Sequence, residues 1–248
     1  MVELSITVLH FNRWDLTKDC LASIDAQEIP CTYEKVLVDN GSLEPLPALP
    51  DGWQVVGYKE NLGHIVGQNR CFESARGEWV LFVANDVRLQ PNCIRGLWNS
   101  TVQTFPHAAQ IQPALFTPMG EIDQTGMFWK WPGYGISRKL NQAGYVPIVP
   151  SSCYLMRKTV WKEVGGFDER LKTSHEDVDM GLRLYGDKIV RTNSHATHLG
   201  NATLRHQPSH TRAAFHRDRV YVIQKHYRGA DRALRLAAVC LLDSLPRF

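Results

Sequence analysis

Three carboxylates stand within four residues in the second half of the chain, at Glu176, Asp177 and Asp179. They open an apolar-periodic stretch that is typical of a helix, and the helix dipole favours acidic residues in a first turn. Capping alone accounts for one or two of them, whereas three acids this close together repel one another. A site that needs a general base, which takes a proton from a reacting hydroxyl, supplies a reason for such a cluster.

Another carboxylate, Asp86, comes three residues after the end of Glu78–Val83, the most hydrophobic strand that the sequence predicts. Hard cations such as Mg²⁺ and Mn²⁺ take oxygen ligands, so an aspartate in this position can hold one against a pyrophosphate. His195 and His198 follow the predicted strand Lys188–Thr192, and a neutral imidazole could complete a metal site with Asp86. The alternatives are a solvent-facing loop aspartate and structural histidines.

Two turn sequences have the composition of a nucleotide site. Asp39 to Ser42 follows a short strand, and its carboxylate can accept hydrogen bonds from a nucleobase imide or a ribose hydroxyl, while Gly41 permits the tight turn. Asn61-Leu62-Gly63 opens a helix whose N-terminal amides could face a diphosphate. The alternatives are a plain turn at the first sequence and local capping asparagines at the second.

An alternation of strands and helices positions these residues. Strands separated by helices at this spacing predict an α/β fold with a mostly parallel sheet, covered by helices on both faces. Such sheets bind ligands at the carboxyl ends of their strands, where His10–Arg13, Asp39–Ser42 and Asn85–Asp86 stand. The predicted elements are strands over Leu4–His10, Lys35–Val38, Gln54–Tyr58 and Glu78–Val83, and helices over Leu16–Ala26 and Gly67–Ala75.

The second half of the sequence is less regular. Residues 105–150 are rich in Gly, Pro and aromatic residues without clear periodicity, and we interpret them as loops beside the ligand cleft. Order returns after them. The remaining predicted elements are a strand over Ser152–Arg157, a short helix to Val164, a helix that buries Val178, Leu182 and Tyr185, and amphipathic helices over Arg212–Tyr227 and Ala230–Leu242.

The composition fits a globular protein with one large core, since the chain has 248 residues, of which 44% are hydrophobic and 21% charged. No run of about 18 apolar residues predicts a spanning helix, and the first ten residues lack the basic flank of a signal peptide. Six cysteines without a C-x-x-C pair favour a reducing compartment over disulfides or a zinc knuckle. We therefore expect a cytoplasmic protein.

The net charge of +3 is unevenly distributed. Between Arg205 and Arg235 eight Lys and Arg residues stand against two Asp residues, a balance of +6, so the rest of the chain carries about −3. A basic C-terminal segment on a mildly acidic body suggests an anionic partner, such as phosphates or an anionic membrane surface. The alternative is a solvated basic helix, or one that covers the core or a dimer partner.

Taken in order, these segments resemble the family-2 glycosyltransferases, inverting enzymes of the GT-A fold, and especially their rhamnosyltransferase-like members. Each segment is weak evidence alone, but their colinear order extends from residue 5 to residue 203. The matching segments are Ser5-Ile6-Thr7-Val8, Phe11-Asn12-Arg13, Val38–Ser42, Asn61-Leu62-Gly63, Asn69, Ala75–Glu78, Leu81–Val83 with Asp86, Gly165–Glu169, Glu176–Asp179 with Arg183, and His198 with Gly200.

The resemblance implies a uridine or thymidine diphosphate sugar as donor, used with Mg²⁺ or Mn²⁺, and a glycan, lipid-linked or protein acceptor. Asp177, beside Glu176, would be the general base that deprotonates the acceptor hydroxyl for in-line attack on the anomeric carbon. Asp86 corresponds to the last acid of the family's D-x-D metal motif, and His198 to a further metal or diphosphate contact. The residues that it implies around the nucleotide are His10, Phe11, Asn12, Arg13, Asp39, Asn61, Gly63, Asn69 and Asn85.

One position departs from the family's pattern, because Ala84 stands where the first D-x-D acid is expected. The loss of one charged ligand weakens the case for tight metal binding. Two other functions are weighed beside glycosyl transfer. A catalytically silent nucleotide-sugar-binding module agrees with Ala84 but has no need of the two acids Glu176-Asp177. A sugar nucleotidyltransferase usually has an N-terminal Gly-rich loop, whereas no glycine lies between Leu9 and Leu21.

The predicted organisation is a GT-A domain over residues 1–204, followed by a basic helical extension over residues 205–248. Within the domain, the nucleotide-binding half covers about residues 1–90 and the acceptor half about residues 91–204. No nucleic-acid partner is expected. A homodimer, and peripheral contact of the extension with an anionic membrane at its inner face, are both compatible with the charge pattern.

Overall fold

The computed structural model describes residues 2–137, 142–184, 189–200 and 210–244. The strands are β1 (Leu4–His10), β2 (Tyr33–Asp39), β3 (Trp53–Gly57), β4 (Trp79–Ala84), β5 (Val87–Leu89), β6 (Gln110–Phe116), β7 (Ile122–Gln124), β8 (Met127–Lys130), β9 (Tyr134–Ser137), β10 (Gly144–Tyr145), β11 (Cys153–Arg157) and β12 (Ile189–His198). The helices are α1 (Trp14–Asp25), α2 (His64–Ser74), α3 (Cys93–Asn99), α4 (Lys158–Glu163), α5 (Glu176–Leu184), α6 (His210–His226) and α7 (Gly229–Ser244).

One mixed sheet organises the domain, with its strands in the order β10-β12-β6-β11-β4-β1-β2-β3. Strands β3, β2, β1 and β4 run parallel, and β12 runs parallel to β6. Strand β11 runs antiparallel between β4 and β6, so its amino end lies where the carboxyl ends of the parallel strands lie. The short strands β5 and β7 pair with β12 and β6 at that same edge, which we call the ligand edge. The predicted α/β fold with a mostly parallel sheet is confirmed.

The core lies in two layers, one on each face of the sheet. Strand β4 contributes to both, because successive side chains of a strand point to opposite faces. Leu81 and Val83 pack against the layer that contains residues of α1 and α3. Val80 and Phe82 pack against the layer that contains residues of α2, α4 and α5. All four side chains are buried, which explains why β4 is a continuous apolar run.

The strands and helices predicted for the first ninety residues are confirmed, with small differences at the helix starts. Helix α2 begins at His64 rather than at Gly67, because Gly63 adopts a left-handed φ of 84° and ends the preceding loop. Gly67 is instead an interior position at which α2 approaches the sheet. A Cβ atom there would lie 2.8 Å from the side chain of Leu9.

The interpretation of residues 105–150 as loops is wrong. Strand β6 lies inside the sheet, between β11 and β12, and β8 with β9 forms a separate two-stranded sheet. Gln110, Gln112 and Pro113 interrupt the apolar run of β6, and proline is rare inside a sheet. All three residues are nevertheless buried.

The two C-terminal helices are confirmed, and buried acids hold α6 against the domain. The carboxylate of Asp218 accepts hydrogen bonds from the backbone N–H groups of residues 172–174 at 2.8 to 3.2 Å. Asp179 is fully buried, and its Oδ1 lies 2.6 Å from Nζ of Lys225 and 2.8 Å from Nε2 of His226. Part of the basic charge assigned to an outside anionic partner is therefore bound within the protein.

Three features expected from the sequence lie outside the described residues: the side chain of Tyr185, the start of the strand at Lys188, and the domain boundary at 204/205. All six cysteines are free thiols. In the described part of the chain, no helix is long and apolar enough to cross a membrane.

Candidate active site

The loops after β1 and β2 are tied to each other at the ligand edge. Oδ1 of Asp39 accepts hydrogen bonds from the backbone N–H of Ser42 at 3.1 Å and from its hydroxyl at 2.6 Å. The backbone N–H of Asn12 donates to Oγ of Ser42 at 3.0 Å, and Oδ1 of Asn12 accepts from the N–H of Leu43 at 2.8 Å. Asn12 itself has a left-handed φ of 59°. These bonds use one oxygen of Asp39, so the other stays available to a ligand.

The loop before α2 is held by Asn40, a buried residue of the Asp39–Ser42 turn for which no individual role was predicted. Its Nδ2 donates to Oδ1 of Asn61 at 3.0 Å and to the carbonyl oxygen of Gly63 at 3.2 Å, and its Oδ1 accepts from the N–H of Leu62 at 3.2 Å. Oδ1 of Asn61 also accepts from the N–H of Gly63 at 2.8 Å. The amino end of α2 is thereby fixed beside the carboxyl end of β2.

Thr17 of α1 joins the ends of β1 and β4. Its Oγ1 lies 2.7 Å from Nδ1 of His10 and accepts from Nδ2 of Asn85 at 3.0 Å. Burial lowers the pKa of His10. The predicted nucleotide residues His10 and Asn85 are therefore brought together, while Arg13 makes a more exposed ion pair with Asp15 at 2.7 Å.

Phe11, half-buried between His10 and Asn12, lies in the same loop. Asn69, however, is placed elsewhere. Its Nδ2 donates to the carbonyl oxygen of Phe167 at 3.0 Å and to Oε1 of Glu169 at 2.9 Å, and its Oδ1 accepts from the N–H of Phe167 at 2.9 Å. Those bonds occupy the amide, so Asn69 connects α2 to residues 165–169, and we propose no ligand contact for it.

Asp86 and His198 meet at the other side of the ligand edge. Val87 pairs with His198 in the antiparallel register of β5 and β12, which brings Oδ2 of Asp86 to 3.6 Å from Nε2 of His198. Asp123 of β7 lies 2.8 Å from the other ring nitrogen, Nδ1. His195 contacts the ring of Phe116 instead, so only one of the two histidines lies at the site.

Asp123 is a residue that the sequence analysis missed. Burial lowers the pKa of His198, but hydrogen bonds to Asp123 and Asp86 outweigh it and raise the pKa to about 9. A carboxylate on the far nitrogen of a histidine also fixes the tautomer and orientation of a metal-binding ring. With Asp123 accepting from Nδ1, the Nε2 atom is directed at Asp86.

These residues fit a divalent cation only in part. Among the described residues, no group of three His, Cys, Asp or Glu side chains could hold a metal ion. Asp86 and His198 provide one hard oxygen ligand and one imidazole, whereas Ala84 provides neither. A cation held here would need further oxygen atoms from a bound molecule, such as a diphosphate.

Glu176 links the acidic cluster to the loops of the first half. Its Oε1 accepts from the hydroxyl of Ser151 at 2.6 Å and lies 3.3 Å from Nε2 of His64, the first residue of α2. Burial raises the pKa of Glu176, but the hydrogen bond and charge of His64 lower it overall, so this carboxylate is held ionised. Sequence reasoning missed His64, because only the fold brings α2 to α5.

Asp177 has the opposite environment. Burial and the adjacent charge of Glu176 raise its pKa to about 7, although its Oδ1 accepts the N–H of Val178 at 2.7 Å. Two neighbouring carboxylates whose environments push their pKa values apart are a recurrent arrangement in acid–base catalysis. One of them is held ionised, and the other can gain or lose a proton near neutral pH.

The residue before the pair is strained. His175 is buried with a left-handed φ of 67°, which non-glycine residues rarely adopt. Its ring packs edge-on against Trp129 at 5.8 Å and Phe215 at 5.0 Å. Strained backbone of this kind persists where the surroundings enforce it, often at functional sites. Asp179, the third acid of the cluster, faces α6 and has a structural role.

Comparison with known proteins places most of this chain in one family. Residues 5–165 match the family described as glycosyl transferase family 2. The chain is 27% identical over 213 residues to the O-antigen biosynthesis protein RfbC of Myxococcus xanthus, with 77% of this chain and 16% of the relative covered. It is 28% identical over 201 residues to the N-acetylglucosaminyl-diphospho-decaprenol L-rhamnosyltransferase of Mycobacterium tuberculosis, with 66% of this chain and 64% of the relative covered. The chain thus spans less than two thirds of either relative.

Among solved structures, the fold is similar to that of GalNAc-T7 crystallised with UDP, GalNAc and Mn²⁺. The TM-score is 0.67 at 15% identity, and the match covers 80% of this chain and 44% of that one. At this level of identity the likeness concerns the fold alone. It confirms the GT-A architecture that the sequence resemblance implied.

The environment of Asp177 gives a first prediction. Glu176→Gln removes a neighbouring negative charge, so the pKa of Asp177 should fall relative to the wild-type protein. Carboxyl ¹³C NMR titration measures the pKa of Asp177, and the Asp177→Asn variant assigns its signal. The matched control is Glu163→Gln, which changes an exposed acid at the end of α4. An Asp177 titration that is the same in Glu176→Gln and wild type would contradict the electrostatic coupling.

Proposed function

This chain belongs to glycosyl transferase family 2, and from that premise we propose that it moves a sugar from a nucleoside-diphosphate donor to an acceptor hydroxyl with inversion. The observation that carries the proposal is the position of Asp177. A carboxylate with a pKa near neutrality stands one residue from Glu176, which contacts the first residue of α2. In this proposal Asp177 is the base and the start of α2 is the anion-binding helix end, and the contact between Glu176 and His64 supports a common site for the two.

The donor nucleotide is proposed to lie across the ends of β1, β2 and β4. The free oxygen of Asp39 accepts hydrogen bonds from the base or the ribose, and the loop held by Asn12 and Ser42 shapes that pocket. The diphosphate lies before the first turn of α2, because the first backbone N–H groups of a helix have no partner within the helix and the helix dipole favours negative charge there. Gly63 suits this position because its φ of 84° lies in the left-handed region that residues with a side chain rarely adopt.

Asp86 and Nε2 of His198 are proposed to hold Mg²⁺ or Mn²⁺, with Asp123 orienting the imidazole from behind. With a cation held by these residues, positive charge would be available to the oxygens of a leaving diphosphate. Since the described residues contribute only these two ligands, we propose that metal and donor bind together. Ala84 then lowers affinity for the free ion without removing the site.

In the transfer step one proton moves, one bond forms and one bond breaks. A carboxylate oxygen of Asp177 takes the proton of the acceptor hydroxyl while the hydroxyl oxygen attacks the anomeric carbon. A new glycosidic bond forms on one face of the sugar, and the bond from the anomeric carbon to the diphosphate oxygen breaks on the other, which inverts the configuration. Glu176, held ionised by His64 and Ser151, keeps the pKa of Asp177 high enough for it to accept a proton.

The acceptor is proposed to be a lipid-linked saccharide. The name of the Mycobacterium tuberculosis relative specifies L-rhamnosyl transfer to N-acetylglucosaminyl-diphospho-decaprenol, and the name of the Myxococcus xanthus relative specifies O-antigen biosynthesis. A hexose or deoxyhexose carried by UDP or dTDP is the corresponding donor class. A catalytically silent binding module is the second candidate, and Ala84 is the observation that favours it.

The base assignment is tested by Asp177→Asn. Donor binding should be retained, while transfer should fall at least about a hundredfold, the usual contribution of general base catalysis. In the wild-type enzyme transfer should rise with pH through about 7 and then level off, because only the ionised form of Asp177 accepts the proton. Calorimetry with UDP measures donor binding, and a transfer assay at a series of pH values measures the rate of transfer. Near-normal transfer by the variant would reject Asp177 as base, and no wild-type transfer with any donor would favour the binding module.

The metal assignment is tested by binding rather than by turnover. Asp86→Ala should abolish the uptake of Mn²⁺ in the presence of UDP, and Asp123→Ala should weaken it by about 10-fold or more, as expected for a residue that orients a ligand. The loss of the free Mn²⁺ signal in electron paramagnetic resonance measures uptake, with Asp231→Ala, an exposed acid on α7, as control. Uptake by Asp86→Ala equal to that of wild type would place the cation elsewhere.

A further inference from the structure

The residue that precedes the acidic helix α5 has a backbone conformation that its residue type does not favour. The carbonyl oxygen of His175 accepts a hydrogen bond from the N–H of Asp179 at 2.9 Å, one turn into α5. Its left-handed φ of 67° turns the chain between the loop 172–174 and the helix. Glycine adopts this φ without strain, whereas a residue with a Cβ atom does not. A buried imidazole at this position therefore needs a reason that lies in the ring.

The ring of His175 is enclosed by side chains from three parts of the chain. Oγ of Ser174 lies 2.7 Å from its Nδ1. Trp129 of β8 and Phe215 of α6 pack edge-on against it, with ring centroids 5.8 Å and 5.0 Å away. Burial, together with the positive charge of Arg219, lowers the pKa of His175 to about 4, so the ring is neutral at pH 7. The ring thus contributes packing and a hydrogen bond rather than charge.

Helix α6 also holds the loop that leads to His175. The backbone N–H groups of residues 172–174 all donate to Oδ2 of Asp218, whose side chain is buried. Asp218 and Phe215 are three residues apart on α6, so they lie on the same side of that helix. One side of α6 therefore fixes both the loop and the ring. The chain at His175 cannot leave its strained conformation without losing these contacts.

We propose that His175 is a positioning residue for the acidic pair: its enclosed ring enforces the left-handed backbone, which holds Glu176 and Asp177 in their mutual orientation. Glu176 lies 2.6 Å from the hydroxyl of Ser151 and 3.3 Å from Nε2 of His64. A change of backbone direction one residue earlier would disturb both contacts. His175 itself does not touch the reacting groups in this proposal. Its effect on the pair is independent of the reaction, whereas its effect on transfer rests on the proposed function.

Carboxyl ¹³C NMR titration of Asp177 tests the proposal in His175→Gly, which accepts the left-handed φ but lacks the ring. The pKa of Asp177 should fall towards the ordinary range of an aspartate, because burial and the adjacent charge of Glu176 are what raise it. His175→Phe keeps an aromatic ring and should restore most of the wild-type titration. His107→Gly, at an exposed histidine before β6, is the matched control and should titrate as wild type does.

Two further measurements separate positioning from general stability. In the transfer assay His175→Gly should lower kcat about ten- to a hundredfold and leave the KM for the donor unchanged, since a displacement of about 1 Å can have an effect of this size. Phe215→Ala removes one contact of the ring at a side chain that is 38% exposed, so the variant should fold. It should shift the Asp177 titration in the same direction by a smaller amount. Calorimetry with UDP measures the folded, binding-competent fraction of each variant.

An Asp177 titration that matches wild type in both His175→Gly and Phe215→Ala would overturn the proposal and leave the ring with a purely stabilising role. If His175→Gly does not fold, the titration of Phe215→Ala decides alone. Failure of the proposed function gives a different result. In that case the wild-type protein would transfer no sugar, while the titrations would still show whether the ring positions the acidic pair.

Discussion

The direction of one strand determines how this molecule can build a site. Strand β11 is antiparallel to both of its neighbours, β4 and β6, in a sheet whose other long strands run the same way. Its amino end therefore lies where β4 ends, and the N–H of Ala84 donates to the carbonyl oxygen of Ser152 at 2.8 Å. Ser151 is thereby placed to bind Glu176. Without this reversal, the acidic pair would not reach the edge that carries the nucleotide loops.

The contact between His64 and Glu176 joins two halves of the chain and influences the protonation of the acidic pair. His64 begins the helix proposed to bind the diphosphate, and Glu176 begins the acidic helix, so their 3.3 Å approach couples the two proposed binding regions. The negative charge that His64 holds on Glu176 contributes to raising the pKa of Asp177. Donor binding near α2 would act on the same electrostatic network, since an added diphosphate is a further negative charge beside it.

Those parts of the fold and of the candidate site that depend on local sequence pattern could be predicted from the sequence. The apolar runs of β1 and β4 and the turn at Asp39 to Ser42 need no distant partner to be recognised. Strand β6 was missed because its glutamines and Pro113 carry no strand signal, and only burial between β11 and β12 makes them part of the sheet. The sequence also did not predict the roles of residues that depend on contacts between distant segments. Asp123 reaches His198 only because β7 folds back on β6, and Asp179 looks like a site residue until α6 is seen to cover it.

The central claim is that one edge of the sheet holds the donor, the cation and the base. A crystal structure with UDP and Mn²⁺ tests it most directly. The account predicts an anomalous peak at ligand distance from Oδ2 of Asp86 and Nε2 of His198, the diphosphate before the first turn of α2, and the nucleoside against Asp39. Nucleotide bound away from Asp39 and α2, or Mn²⁺ bound without Asp86, would contradict it.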